Sequence, residues 1–565
     1  LGAGFLFIAL ASILGLMGPK VLGWAIDAIR VADSRSELLP FVLLLLAIES
    51  AAVIFIYYQR IFILGTSRKI DFDLRNDLFS HLLKLPFSYY NRQKTGDIMA
   101  RATNDMEAVR MFIGPGLWNG FELIIMMAVA LPIMFSISPQ LTFYSLIPMA
   151  TLPLITLKVS PMLHGRFTAV QEQFSTLSAH AQENLNGIRV VKGFTRENAV
   201  LDRFREMNQE YVDRNMSLVR VYGAFFPLLM GIAALALAIV IWLGGRLVIR
   251  GAITLGDMVA FTQYHAILTW PMIAMGWVIN LFERGTASLV RITEIMETEP
   301  EIRDEEGVLT DFGPVRGEIE FRNLTFAYDE DSEPVLKGFN LHIPERATVG
   351  ITGATGSGKS TILNLIPRLF QPEHGQLFID GVDVRDIPLL TLRQAIGMVP
   401  QESFLFSDSI EENISFGADG AGPEEMLEAS SLSQIHSEIL DFPDQYEQKV
   451  GERGVTLSGG QKQRMALSRA IIRMPGILIL DDAFSSVDTN TEEAILNGLR
   501  DTVSERTSLI VSHRVSTLRA SDFIVYIEDG RIAEQGTHSE LVDRGGLYAK
   551  MVERQALIEE LESLQ

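Results

Sequence analysis

The chain has 565 residues, 48% hydrophobic and 21% charged, with a mean hydropathy of +0.22. That balance excludes collagen-like, coiled-coil-rod and disordered classes and suits a chain partly embedded in lipid. The absence of cysteine excludes a disulfide framework, a thiolate zinc site and a cysteine nucleophile. The net charge of -21 is uneven: residues 1–300 hold 25 Lys+Arg against 23 Asp+Glu, and residues 301–565 hold 23 against 46. An acidic second half argues against nucleic-acid binding and suits a soluble module facing cytoplasm. The chain begins at Leu1 without a methionine, so a preceding N-terminal piece is expected.

Long apolar runs dominate residues 1–285. Ala224–Leu243 carries no charge, and Met258–Phe282 contains no Asp, Glu, Lys or Arg. Lipid needs about 20 such residues per helix. Six spans are predicted near 1–29, 38–65, 112–137, 139–163, 217–244 and 256–283. The long connections Tyr58–Met111 and Lys158–Arg220 each hold nine Lys+Arg, whereas the other connections are short and poor in them. This places the long segments and the N-terminus in the cytoplasm. Both keep helical apolar spacing, as in Ile70, Leu74 and Leu78. They read as spanning helices prolonged beyond the bilayer; two separate soluble inserts are the alternative, but neither has strand signals. The expected organisation is an all-α transmembrane domain over 1–300, a linker over 301–316 and an α/β nucleotide-binding domain over 317–565.

From Gly317 the pattern changes. Glu318–Tyr328 alternates like a strand, and Ala347–Thr352 is a short buried-strand run. It leads into Gly353-Ala-Thr-Gly356-Ser357-Gly358-Lys359-Ser360-Thr361 and then a helix-like stretch. This is a P-loop in its strand–loop–helix context. Glycines let backbone N–H groups curl round phosphate oxygens, and the helix N-terminus adds its positive end. Lys359 is expected on the β- and γ-phosphates and the Ser360 hydroxyl on Mg²⁺. A second apolar strand, Gly476–Leu480, ends in Asp481-Asp482, the position from which a carboxylate approaches the Mg²⁺ of a P-loop site. Between the two lies Leu457-Ser458-Gly459-Gly460-Gln461, another glycine-rich helix start suited to phosphate.

LSGGQ between these two motifs resembles the signature of the ABC (ATP-binding cassette) family. The resemblance covers essentially the whole chain and implies ATP and Mg²⁺ as cofactors. In that family the signature, here Leu457 to Gln461, grips the γ-phosphate held by the opposite cassette. Tyr328 sits where the family stacks an aromatic on adenine. Gln401 resembles the Q-loop glutamine that contacts Mg²⁺ and the membrane half, and Gly451–Gly454 the exporter X-loop. Asp488 in Ser485–Asp488 resembles the D-loop, and His513 the switch histidine at the γ-phosphate. Tyr89-Tyr90-Asn91 with Thr95, Gly96, Asp97 and Arg101 resembles the first coupling region of ABC exporters, and Glu183–Phe194 with Arg196 and Glu197 the second. Six spans and one cassette is the half-transporter layout, and fusion on one chain favours export. The implied setting is a multi-pass protein of the bacterial inner (plasma) membrane with its cassette cytoplasmic.

One departure matters. Most active cassettes of the family carry Glu after the strand-end Asp, where it orients the attacking water; this chain has Asp482. The carboxylate is drawn back by about 1.5 Å, and a misplacement of that order costs roughly 100-fold in a positioned reaction. With an intact signature, this resembles one subunit of the heterodimeric bacterial multidrug exporters, of the MdlA or TmrB type. The partner, a second half-transporter, would then carry the Glu. A homodimer with two slow sites, such as a lipid flippase, and an ATP-gated regulator or channel are the alternatives.

The transported substrate is expected to be small and amphipathic: a drug, lipid or peptide. Glu49 and Glu122 are charges within apolar spans, which are costly and often functional; helix packing or proximity to water is the plainer reading. Gln263, His265 and Asn280 in the last span are further cavity candidates, and the methionines and tryptophans around them could form an adaptable wall.

Overall fold

The computed structural model describes the chain except residues 30–34, 305–307, 310–311, 330–331, 419, 452–453, 455, 504–505 and 564–565. It forms two units: Leu1–Leu83 with Thr95–Thr298, and Lys84–Lys94 with Glu299–Gln565.

The first unit contains six helices long and apolar enough to cross a membrane: Gly2–Ile29, Ser36–Leu82, Thr95–Ile137, Pro139–Asn186, Glu197–Ile249 and Leu255–Met296. The expected prolongations are continuous helix: the fourth and fifth run 48 and 53 residues. At about 1.5 Å per residue the fifth reaches roughly 80 Å, far beyond a hydrocarbon core of about 30 Å. Local chemistry sets the starts. Ser138 is extended and its hydroxyl accepts from Leu141 N, with Pro139 in the first turn. Thr254 and Asp257 form a reciprocal capping box at the sixth. The third helix contains π-turns at Arg101–Asp105 and Phe112–Gly116, the latter around Pro115, where the ring cannot donate to the ladder.

Small residues set the close contacts, as expected where lipid removes the hydrophobic drive between helices. A Cβ on Gly256 would stand 2.0 Å from the Gly23 carbonyl oxygen. That approach lets Gly256 N donate to Asp27 Oδ1 at 2.8 Å, with Lys20 and Asp257 paired at 3.7 Å beside it. Buried Tyr264 donates its hydroxyl to Leu16 O at 2.8 Å.

The second unit is built on two sheets. One has four strands in the order β2-β1-β4-β5: β1 Ile319–Phe326, β2 Leu336–Ile343, β4 Leu377–Ile379 and β5 Val382–Asp383. The other has the order β10-β9-β3-β8-β7-β6. Its strands are β3 Thr348–Gly353, β6 Ile396–Val399, β7 Ile477–Asp481, β8 Thr507–Val511, β9 Phe523–Glu528 and β10 Arg531–Gly536. Strands β6, β7, β8, β3 and β9 are parallel, and β10 is antiparallel at the edge. Every residue of β7 and β8 is buried, as in a sheet covered on both faces. Parallel pairing brings the C-terminal ends of β6, β7, β8 and β3 to one edge, where α/β sheets bind ligands.

Candidate nucleotide site

The P-loop leaves β3 and enters the helix Lys359–Leu365. Gly358 at the junction has φ +100, and a Cβ there would stand 2.8 Å from Leu336 Cδ2, so only glycine makes the turn without strain. The Lys359 ammonium, 8% exposed, donates to the carbonyls of Gly353 at 3.0 Å and Ala354 at 2.8 Å. Burial lowers its affinity for the proton, and the charges of Asp481 and Asp482 oppose that shift. The Ser357 hydroxyl is buried with no partner among the described residues. A buried donor of this kind inside a P-loop fits the acceptor oxygens of a phosphate.

Asp481 ends β7, 6% exposed. Burial holds its carboxyl above the usual range and the Asp482 charge adds to this, while a hydrogen bond from Ser360, Lys359 and His513 pull it down. Ser360 and Asp481 thus offer adjacent hard oxygens, the donor type Mg²⁺ takes. Asp482 follows in a left-handed conformation, φ +49, its N–H donating to Val511 O at 3.0 Å. Aspartate tolerates that region better than most side chains. Gln401 is exposed just beyond β6, and His513 just beyond β8. The sheet order therefore gathers the ends carrying Gln401, Asp481, His513 and the P-loop in adjacent positions.

Tyr328 is 39% exposed, leaving ring surface open, and its hydroxyl lies 2.8 Å from Thr361 Oγ1. That contact ties the aromatic to the end of the P-loop. The signature opens the helix Gly459–Ile471. Ser458 Oγ accepts from Gln461 N at 3.2 Å, and Gln461 Oε1 accepts from Ser458 N at 2.9 Å. The serine and glutamine thus form a capping box, with Leu457 buried ahead of it. A Cβ on Gly460 would lie 2.8 Å from Ser486 O, so the second glycine permits contact with the D-loop. Asp488 accepts from Thr491 N at 2.9 Å, which lowers its pKa. Of the X-loop, Glu452 and Arg453 lie outside the described residues.

Three side chains outside any of the motifs hold the D-loop. Gln463 donates to Ser485 Oγ and accepts from Ser486 N, both at 2.8 Å. Arg514 donates to Val487 O at 2.8 Å and Ser485 O at 3.2 Å, and pairs with Glu492 at 2.6 Å. Glu492 is 1% exposed and also accepts from the Thr517 hydroxyl. The available signal was position: Arg514 directly follows His513, and Glu492 lies one helical turn past Asp488. His374, Asp383 and Asp386 also gather in the second unit. There Asp383 accepts from Gly375 N and Arg385 N and so serves a turn.

In the first unit a cavity of about 410 Å³ is lined by Phe225, Trp270, Ile273 and Trp277 with Thr156, Ser160 and Asn280. Of the five cavity candidates, Asn280 lines it. His265 is buried with Nε2 unpartnered among the described residues, Glu122 is half-buried, and Glu49 and Gln263 are exposed.

The fold and the site define a P-loop ATPase fused to six membrane-crossing helices. Residues 1–272 match the family model of the ABC transporter transmembrane region and residues 336–485 match that of the ABC transporter. The chain is 38% identical over 482 residues to the uncharacterized ABC transporter ATP-binding protein YknU of Bacillus subtilis, covering 85% of this chain and 82% of that one. It is 34% identical over 559 residues to the multidrug resistance-like ATP-binding protein MdlA of Escherichia coli, covering 99% and 94%. A solved bacterial Atm1-family ABC exporter with ATP bound aligns with TM-score 0.79 and 28% identity, covering 98% and 97%. The chain belongs to the ABC transporter family, as an exporter-type half-transporter: a multi-pass membrane protein whose ATPase domain binds ATP and is coupled to transport.

Proposed function

We propose that this chain is one half of a heterodimeric exporter of small amphipathic molecules, working by alternating access across the bacterial plasma membrane. The observation that carries it is the pairing of Asp482 with an intact, fully capped signature. The name of the Escherichia coli relative, multidrug resistance-like, supports the substrate class. So does the cavity, in which two indoles and a phenyl ring stand beside Asn280, Thr156 and Ser160, an apolar wall with a few polar groups.

In this reading Tyr328 stacks on adenine, Gly353, Gly356 and the P-loop amides cradle the phosphates, and Ser357 and Lys359 donate to them. Ser360 and Asp481 would hold Mg²⁺, aided by Gln401; the ion supplies charge neutralisation on the phosphates. His513 approaches the γ-phosphate, and Asp482 stands too short to align water well. Ser458, Gly459 and Gly460 serve the partner's nucleotide, whose site carries the Glu. The regions Asn91–Arg101 and Gly187–Glu197 pass closure of the cassettes to the helices. ATP drives this because it binds the closed pair better than the open one. The test is co-purification with a candidate partner half-transporter that carries Glu at the position of Asp482, followed by ATPase assay. Replacing the partner's Glu by Gln should abolish turnover, and Asp482→Asn should change it less than about three-fold, against roughly 100-fold for a catalytic group. Equal losses from both changes would refute the asymmetry.

A further inference from the structure

The segment Lys84–Lys94 belongs to the cassette unit, though it follows directly on the second spanning helix. Its short helix Phe87–Arg92 makes two contacts there that converge on one place. The Phe87 ring meets Phe370 edge-on, centroids 5.7 Å apart. Phe370, 7% exposed, meets Tyr328 edge-on at 4.9 Å. The Arg92 guanidinium pairs at 2.5 Å with Asp329, the residue next to Tyr328. Phe326 closes the cluster, 5.3 Å from Tyr328 and 6.0 Å from Phe370.

We infer that Phe87 and Phe370 are positioning residues for the adenine-stacking ring, forming an aromatic relay through which the first coupling segment senses whether a base is bound. The geometry leaves Tyr328 few alternatives. Its hydroxyl is held by Thr361, one edge is packed by Phe370, and its backbone is flanked by the Arg92–Asp329 pair. Edge-to-face packing is orientation-specific, so a ring tilt that improves stacking on adenine must be accommodated at Phe370 and then at Phe87. Phe87, 48% exposed, is the member able to move. By linkage, whatever Phe87 does to the stacked orientation, a bound base does to Phe87. The chain then continues into the third spanning helix at Thr95, so base recognition is read by a segment covalently joined to two spanning helices. The inference rests on the adenine reading of Tyr328.

The test compares two ligands on the full-length protein: Mg-ATP, and Mg-tripolyphosphate, which has phosphates and no base. Phe87→Ala should weaken Mg-ATP about five-fold, the loss of one aromatic contact, and leave tripolyphosphate unchanged. Tyr328→Ala should do the same by more, and the double variant should be no worse than Tyr328→Ala alone. Phe87→Leu, which keeps bulk without the ring, should fall between wild type and Phe87→Ala and serves if the alanine variant does not fold. Equal weakening of both ligands by the Phe87 variants, or none, with Tyr328→Ala still selective for ATP, overturns the relay alone. No base-selective loss in Tyr328→Ala overturns the adenine reading and the relay with it.

Discussion

The six-stranded sheet and the six spanning helices are both rich in apolar residues, but they place them differently. Strands β7 and β8 bury every residue, which fits their interior places in a sheet covered on both faces. In the most apolar stretches of the second and third spanning helices only 11% of residues are buried, against 39% in the first and sixth. Hydrophobicity thus specifies position in the cassette, whereas in the membrane unit it specifies only the medium. There the neighbours are chosen by close fit, as at Gly23 and Gly256, and by polar contacts such as Tyr264 to Leu16. Changes that spare the apolar pattern should therefore do harm in both units, by different routes.

The largest effect is expected at the signature. Gly460→Asp drives a side chain toward Ser486 O and should lower ATPase of the paired transporter roughly 100-fold, the scale of losing one transition-state donor. Next comes the buried clasp. Glu492→Ala leaves Arg514 without its carboxylate and should cost about 3 kcal/mol. Calorimetry should show the cassette transition lowered by roughly 6–12 °C, with a surface control such as Glu493→Ala unmoved.

In the membrane unit the comparison is between two glycines of equal hydropathy. Gly256→Val meets the Gly23 carbonyl and Asp27, whereas Gly245 has open space around it. Monodisperse yield in detergent should collapse for the first and hold for Gly245→Val. The smallest effect is a gain. Asp481 is buried with a raised pKa, so its charged form penalises the folded state in full above that pKa, and the penalty shrinks as pH falls through it and is gone below the ordinary carboxylate pKa. Asp481→Asn should raise the nucleotide-free cassette transition by about 2–4 °C at neutral pH, with the gain vanishing as pH falls. A gain independent of pH would show that burial of the charge is not the cause.

Motifs made the phosphate end of the site readable, because Gly358, Lys359, Ser360 and Asp481 are held by local backbone geometry at known spacing. The spans were readable because lipid demands length and apolarity. What escaped depended on contacts between distant residues. Arg514 and Glu492 look like ordinary surface charges in sequence, and Phe87 like a generic aromatic in a coupling segment. Their partners lie far along the chain or across the sheet. The cavity candidates fared similarly: the six runs give depth in the bilayer, but the 3.6-residue period of a helix apolar on every side gives no face. Hence Gln263 and Asn280, equal candidates by composition, have different surroundings.

The most direct test of the central claim is steady-state ATP hydrolysis by this chain purified alone, as wild type and as Asp482→Glu. The account predicts near-background turnover for the wild type. Restoring the longer carboxylate beside intact signatures should raise it by up to about 100-fold. Robust hydrolysis by the wild type that Asp482→Asn destroys would contradict the account, because Asp482 would then be a competent catalytic group.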